Sequence, residues 1–200
     1  MKSNILLATK NRNKVIEILD IFKITPYNFV TLNDFPIVEE PEENGSSFEE
    51  NAMIKANYYW DQIKIPVITE DSGLVVPALK GEPGILSARY ASEKANYQAN
   101  NKKLLLKMSH LKGTAREAYF ICHAVYKDGA TLLSQEERVD GIIATLPRGE
   151  NGFGYDPIFI IPEFGKTFAE LPSGAKNKIS HRYRALYKLY EQIKSLHNKS

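Results

Sequence analysis

What this sequence lacks narrows the reading first. It has one cysteine, Cys122, among 200 residues. A lone thiol makes no internal bridge, so a disulfide-stapled scaffold is excluded and a reducing compartment is expected. Cys122 lies in the apolar run Tyr119-Phe120-Ile121-Cys122-His123-Ala124-Val125, where burial would silence a nucleophile. No apolar stretch approaches the length of a membrane span, so no membrane partner is expected. The run from Ile5 to Ala8 is too short for a signal-peptide core, and a cytoplasmic protein is expected. A net charge of only +2 does not ask for nucleic acid. The sequence also lacks Gly-x-x-x-x-Gly-Lys-Ser/Thr, and its glycines at 149, 152 and 154 do not have the dinucleotide-fold spacing.

What is present is ordinary globular material, 43% hydrophobic and 25% charged, enough for one domain over residues 1–200. Charge is unevenly spread. Acids crowd the stretch from Asp34 to Glu50, and bases dominate from Lys176 onward. Strand, polar loop and helix follow one another from Ile5 to Phe22, and a second strand is expected over Tyr27–Leu32. Ser47 and Glu50 have capping-box spacing before a helix over 48–64. A third strand over 66–69 is expected to end in the turn Glu70-Asp71-Ser72-Gly73. A helix is expected over 93–108, then a hairpin about Asp128-Gly129. A strand over 157–161 and a helix capped by Ser180 close the chain. These elements predict a mixed α/β (α+β) fold. Its central mixed sheet would carry flanking helices and an antiparallel hairpin lobe, with a nucleotide cleft between lobes.

Three polar constellations carry chemistry. Thr9, Lys10, Asn11, Arg12, Asn13 and Lys14 sit between a strand and a helix N-terminus, a natural anion seat. A capped helix with a solvated basic face fits that segment equally well. Glu70 and Asp71 follow an apolar strand and offer two carboxylates to a hard cation such as Mg²⁺, with Glu42 or Glu43 as a further ligand. Phe153, Gly154, Tyr155 and Asp156 follow a glycine-rich run. With Ser180, His181 and Arg182 they suggest a slot for a planar heterocycle, where glycines let backbone approach closely and Arg supplies a rigid fork of donors. Together these are parts for hydrolysing a nucleotide phosphoanhydride, where catalysis is mostly positioning and charge stabilisation.

The chain resembles the inosine/xanthosine triphosphate pyrophosphatases over nearly its whole length. The matching segments are Leu7-Ala8-Thr9-x-Asn11-x-x-Lys14, Phe48-x-Glu50-Asn51-Ala52, Asp71-Ser72-Gly73-Leu74, Pro83-Gly84-Ile85-x-Ser87-Ala88-Arg89-Tyr90, Gly152-Phe153-Gly154-Tyr155-Asp156-Pro157, Lys166-Thr167-x-Ala169-Glu170 and Ser180-His181-Arg182. The resemblance implies Mg²⁺-dependent hydrolysis of dITP, ITP and XTP to the monophosphate and pyrophosphate by a homodimer. It assigns Thr9 to Lys14 to the triphosphate, and Asp71 to proton acceptance and metal binding. Ser72 would touch substrate, and Glu43, or alternatively Glu42, would be the second metal ligand. Phe153 to Asp156, Lys176, His181 and Arg182 would form the base pocket. There, donors would donate to the oxygen at purine position six and be left unpaired by the amine of adenine. Glu70 stands where the family often has Asp. The competing readings are a Maf-like pyrophosphatase for other nucleotides and a catalytically silent nucleotide- or nucleic-acid-binding module.

Overall fold

The computed structural model describes residues 4–36 and 39–197, so positions 37 and 38 of the acidic stretch lie outside the described residues. Strand β1 (Asn4–Leu7) buries Ile5, Leu6 and Leu7, as a strand covered on both faces must. It pairs in parallel with β2 (Asn28–Thr31) and with β3 (Val67–Val75). Parallel strands need crossovers, and helices supply them: α1 (Arg12–Ile21) lies between β1 and β2, and α2 (Phe48–Ile63) between β2 and β3. Strands β4 (Glu117–Asp128) and β5 (Thr131–Ile143) flank the tight turn Gly129-Ala130. Gly129 takes the positive φ (+57°) there, a conformation that favours glycine. Strand β6 (Phe159–Ile161) is antiparallel to β5, and β7 (Lys166–Thr167) to β6. The sheet order is β2-β1-β3-β4-β5-β6-β7, the mixed sheet expected from the sequence.

Several local expectations are corrected. Glu70-Asp71-Ser72-Gly73 is no turn, because β3 runs straight through it. Turn composition is a weak preference, and here buried Val67, Ile68 and Leu74 together with cations for both acids favour the extended chain. Helix α3 spans Tyr97–Lys107 and starts later than expected, because the Asn96 side chain accepts from the Ala99 N–H and caps it there. Helix α4 (Ser173–Ile179) is not foreseen in the sequence; it precedes α5 (His181–His197). The capping box is split. The Ser47 hydroxyl accepts from the Glu50 N–H, while the Glu50 carboxylate accepts from the N–H and hydroxyl of Ser46. On α5, Leu186, Leu189 and Ile193 are buried as the apolar stripe requires, whereas Leu196 is exposed.

The chain divides into two compact units. The first comprises the chain up to Asp71, Cys122–Glu137 and the residues from Arg182 onward. Its core holds Ile5, Leu7, Ile18, Phe22, Ile68, Cys122, Tyr126, Leu186 and Leu189. The second comprises Ser72–Ile121 and Arg138–His181, with a core built on Leu74, Leu104, Met108, Phe120, Ile143, Phe159 and Phe168. No helix among the described residues is long and apolar enough to cross a membrane.

The second unit is tied by one buried cation. Arg116 donates through Nε to the carbonyl of Ile143 (2.7 Å) and through Nη2 to that of Ala144 (2.6 Å). Its Nη1 donates to the carbonyls of Met108 (2.8 Å) and Leu111 (3.2 Å). One planar fork thus satisfies the ends of a helix and a strand. Arg116→Ala leaves several buried carbonyls unpaired and is expected to lower stability by about 3 kcal/mol. Arg116→Lys is expected to recover little of it, since an ammonium lacks the fork. Urea unfolding followed by circular dichroism checks both.

Candidate active site

In a strand, neighbouring side chains point to opposite faces. Glu70 and Asp71 are neighbours in β3, and each meets its own set of cations. Asp71 lies in a cluster built by α2. Asn51 and Lys55 stand four residues apart on that helix and share one face. Asn51 Nδ2 donates to Asp71 Oδ2 (3.3 Å), and Lys55 Nζ lies 3.4 Å from Asp71 Oδ1 and 3.3 Å from Glu43 Oε2. The Asn51 side-chain oxygen, Oδ1, also accepts from the Gly45 N–H (2.9 Å), pinning the loop that carries Glu43. A β-carbon at Gly45 would stand 2.7 Å from that same oxygen, so the close approach requires glycine. Glu43, not Glu42, is therefore the loop carboxylate that shares a cation with Asp71. Lys55 is only 8% exposed, and sequence reading gives it no role. The available signal is a lysine among the buried small residues Ala52 and Ala56 of an amphipathic helix.

Burial pushes the Asp71 carboxyl above its ordinary range, against the pull of Lys55 and Lys14. Burial alone would depress the Lys55 ammonium, but Asp71 and Glu43 hold it above its usual value. Among the described residues no group of three His, Cys, Asp or Glu side chains converges on one point. The hard-oxygen pair Glu43 and Asp71, already bridged by one positive charge, fits an ion that keeps water in most of its coordination sites.

The basic loop before α1 is built as a capped helix. Asn11 is the N-cap, and its Oδ1 accepts from the N–H groups of Asn13 (3.1 Å) and Lys14 (3.3 Å). Thr9 Oγ1 accepts from the Asn11 N–H (3.2 Å). Three amides that an anion could have used are thus already engaged. Charge remains: Lys10 and Arg12 are exposed, and the first turn of α1 contains no acid. A helix N-terminus carrying only bases is electrostatically unfavourable by itself and favours an anion. Lys14 instead reaches inward to Glu70 Oε1 (2.8 Å). Glu70 also meets Arg182 Nε (3.4 Å), and Arg182 Nη1 donates to Glu17 (2.5 Å). Burial would raise the Glu70 carboxyl, yet Arg182 and Lys14 hold it well below the ordinary range. All these groups belong to the first unit.

The second unit assembles the remaining residues except Arg182. Asp156 is buried, and its Oδ2 accepts from the Phe153 N–H (2.7 Å) and from Lys176 Nζ (2.6 Å). The Lys176 ammonium also stands 5.1 Å from the centre of the half-buried Phe153 ring, which is tilted against Tyr97. Gly154 accepts from Asn101 Nδ2 (3.1 Å). Tyr155 is an anchor in the core, where its hydroxyl donates to the Ser87 carbonyl (2.9 Å) and burial pushes its pKa up. His181 is buried and stacks on Phe120 at 4.8 Å, with the rings 6° from parallel. Ser72 lies half-buried on β3. The glycine run is shaped to this arrangement. Gly152 has φ +75°, and a β-carbon there would stand 2.0 Å from Asp156 Oδ2. Gly154 has φ +64° with nothing within 4 Å of such an atom. Gly152→Ala is therefore expected to cost about 2–3 kcal/mol and to displace Asp156, and Gly154→Ala only about 1 kcal/mol. Thermal unfolding of the two variants checks the difference.

The profile of the Ham1 family matches residues 5–192. A dITP/XTP pyrophosphatase from Geobacillus kaustophilus is 48% identical over 189 residues, covering 94% of this chain and 93% of that one. One from Halalkalibacterium halodurans is 44% identical over 185 residues, covering 92% and 95%. Among solved structures, the Staphylococcus aureus Ham1 protein superposes with a TM-score of 0.86 at 39% identity, over 96% of this chain and 99% of that one. A HAM1 protein from Coxiella burnetii gives the same TM-score at 36% identity, over 99% and 100%. With the family profile spanning both units and these relatives matching nearly end to end, the chain belongs to the Ham1 family.

Proposed function

We propose that this protein hydrolyses dITP, ITP and XTP to the nucleoside monophosphate and inorganic pyrophosphate, removing these nucleotides before they enter DNA or RNA. The observation that carries the reading is the buried Asp71 beside Glu43, in a chain whose relatives bear the name dITP/XTP pyrophosphatase. Both units serve as one pyrophosphatase domain, a reading supported by a family profile that spans them.

Asp71 accepts the proton of the attacking water. Asn51 and Lys55 keep its two oxygens in fixed directions. Glu43 and Asp71 would hold Mg²⁺, which when bound would neutralise phosphate charge and lower the pKa of coordinated water. Thr9, Asn11 and Asn13 line the triphosphate with polar groups, while Lys10, Arg12 and Lys14 balance its charge. The bond between the α and β phosphates breaks, water oxygen joins the nucleotide, and pyrophosphate leaves.

The base is read by Phe153, Gly154, Tyr155, Asp156, Lys176, His181 and Arg182, with Ser72 touching substrate. Phe153 offers a ring face, and Tyr155 and Asp156 hold the segment that presents it. Donors directed at the oxygen of purine position six lose their partner when adenine brings an amine, at about 1–3 kcal/mol per buried unpaired group. The same reading includes a cytoplasmic homodimer, which light scattering tests by returning twice the mass of the chain.

The deciding experiment is product analysis with dITP, XTP, dATP and dGTP, with and without Mg²⁺. Metal-dependent pyrophosphate from dITP and XTP, with little from dATP or dGTP, is expected; orthophosphate or no turnover overturns the reading. Asp71→Asn is expected to lower kcat by about 10²–10⁴ with the fold intact. Pyrophosphate release and circular dichroism on the same preparation measure both.

A further inference from the structure

The first unit links four charges that sum to zero: Glu70 on β3 and Arg182 at the start of α5, both buried, and Lys14 and Glu17 on α1, both half-buried. The Glu70 side chain is 1% exposed and that of Arg182 4%. The carboxylate is the hub. Its Oε1 takes Lys14 Nζ at 2.8 Å and Arg182 Nε at 3.4 Å, and its Oε2 lies 3.5 Å from the Cys122 thiol. Arg182 is gripped from its other side by Glu17, at 2.5 Å.

Fold stability alone is a weak reason for this arrangement. Desolvating paired charges commonly costs as much as their attraction returns, and apolar residues of similar volume often serve stability better. Buried ionic groups do hold side chains in fixed directions. Here the two cations held are one from the basic loop segment and one from the Ser180-His181-Arg182 segment. Lys14 is also the group drawn away from the N-terminus of α1, where a positive charge is least welcome.

We propose that Glu70 is a positioning residue, a single buried carboxylate that sets Lys14 and Arg182 together and keeps Lys14 drawn inward until a phosphate competes for it. The assignment of Lys14 to phosphate and Arg182 to base rests on the pyrophosphatase reading; the shared carboxylate does not. Its effect passes through the two cations, and it makes phosphate affinity and base selectivity depend on one group.

Glu70→Gln keeps the shape and removes the charge. A general loss of packing would weaken every function together, whereas the proposal requires opposite responses. Freed from its counter-charge, Lys14 binds inorganic pyrophosphate about fivefold more tightly in calorimetry. Arg182 loses a carboxylate partner, so the preference for dITP over dATP in kcat/KM falls about tenfold. Glu70→Asp retains the charge and is expected to bring pyrophosphate affinity back to within about twofold of the wild type. Glu17→Gln loosens Arg182 from its other side, lowering the dITP/dATP preference about tenfold while leaving pyrophosphate affinity unchanged. Weaker or unchanged pyrophosphate binding in Glu70→Gln overturns the proposal, as does an unaltered base preference. Should Glu70→Gln not fold, Glu17→Gln decides: unchanged base preference, or altered pyrophosphate affinity, overturns it. Wild-type turnover of dITP is measured alongside. Its absence would refute the pyrophosphatase reading, while the calorimetric comparison would still decide whether Glu70 restrains Lys14.

Discussion

Successive side chains of a strand point to opposite faces, and in β3 this alternation separates two adjacent carboxylates. Glu70 is drawn into a buried set of cations, Lys14 and Arg182. Asp71 faces Asn51, Lys55 and, through Lys55, Glu43. Had the segment turned, both acids would have been free to share one ion. Extended, they take different surroundings and acquire opposite chemistry: Glu70 is held well below the ordinary carboxylate range and Asp71 above it. One backbone conformation thus gives two adjacent carboxyls opposite shifts.

The same economy of charge recurs in the second unit. Lys176 and Asp156 form a buried pair, and Asp156 also accepts from the Phe153 N–H. The glycine at 152 leaves room for that carboxylate. There a buried acid holds a cation and a stretch of backbone at once, so charge placement and chain path are set by the same contacts. Such sets are sensitive to loss of one member, because the survivor stays desolvated and unpaired.

Much of this architecture is legible in the sequence because it rests on local rules. The apolar run at Ile5, the helical spacing that follows, the Asp128-Gly129 hairpin and the stripe Leu186, Leu189, Ile193 are each encoded within a few residues. The glycine run before Phe153 likewise announces a chain that must take positive φ, as Gly149, Gly152 and Gly154 do. Less legible is whatever depends on a distant partner. Turn composition at Glu70 to Gly73 suggests a bend, and the cations that keep it straight come from α1, α2 and α5. Lys55 reads as one more helical lysine until Glu43 and Asp71 are beside it.

Sequence alone therefore determined the fold class and the family, since periodicity, turn chemistry and ordered motifs are properties of the chain itself. Tertiary structure decided what each polar group meets. It bound Arg182 to Glu17 and Glu70, brought Glu43 rather than Glu42 to Lys55, and made Tyr155 an anchor through Ser87. The physical reason is that a charge or donor acquires its role from burial and from its partners across space, and those partners lie as far as 165 positions away along the chain.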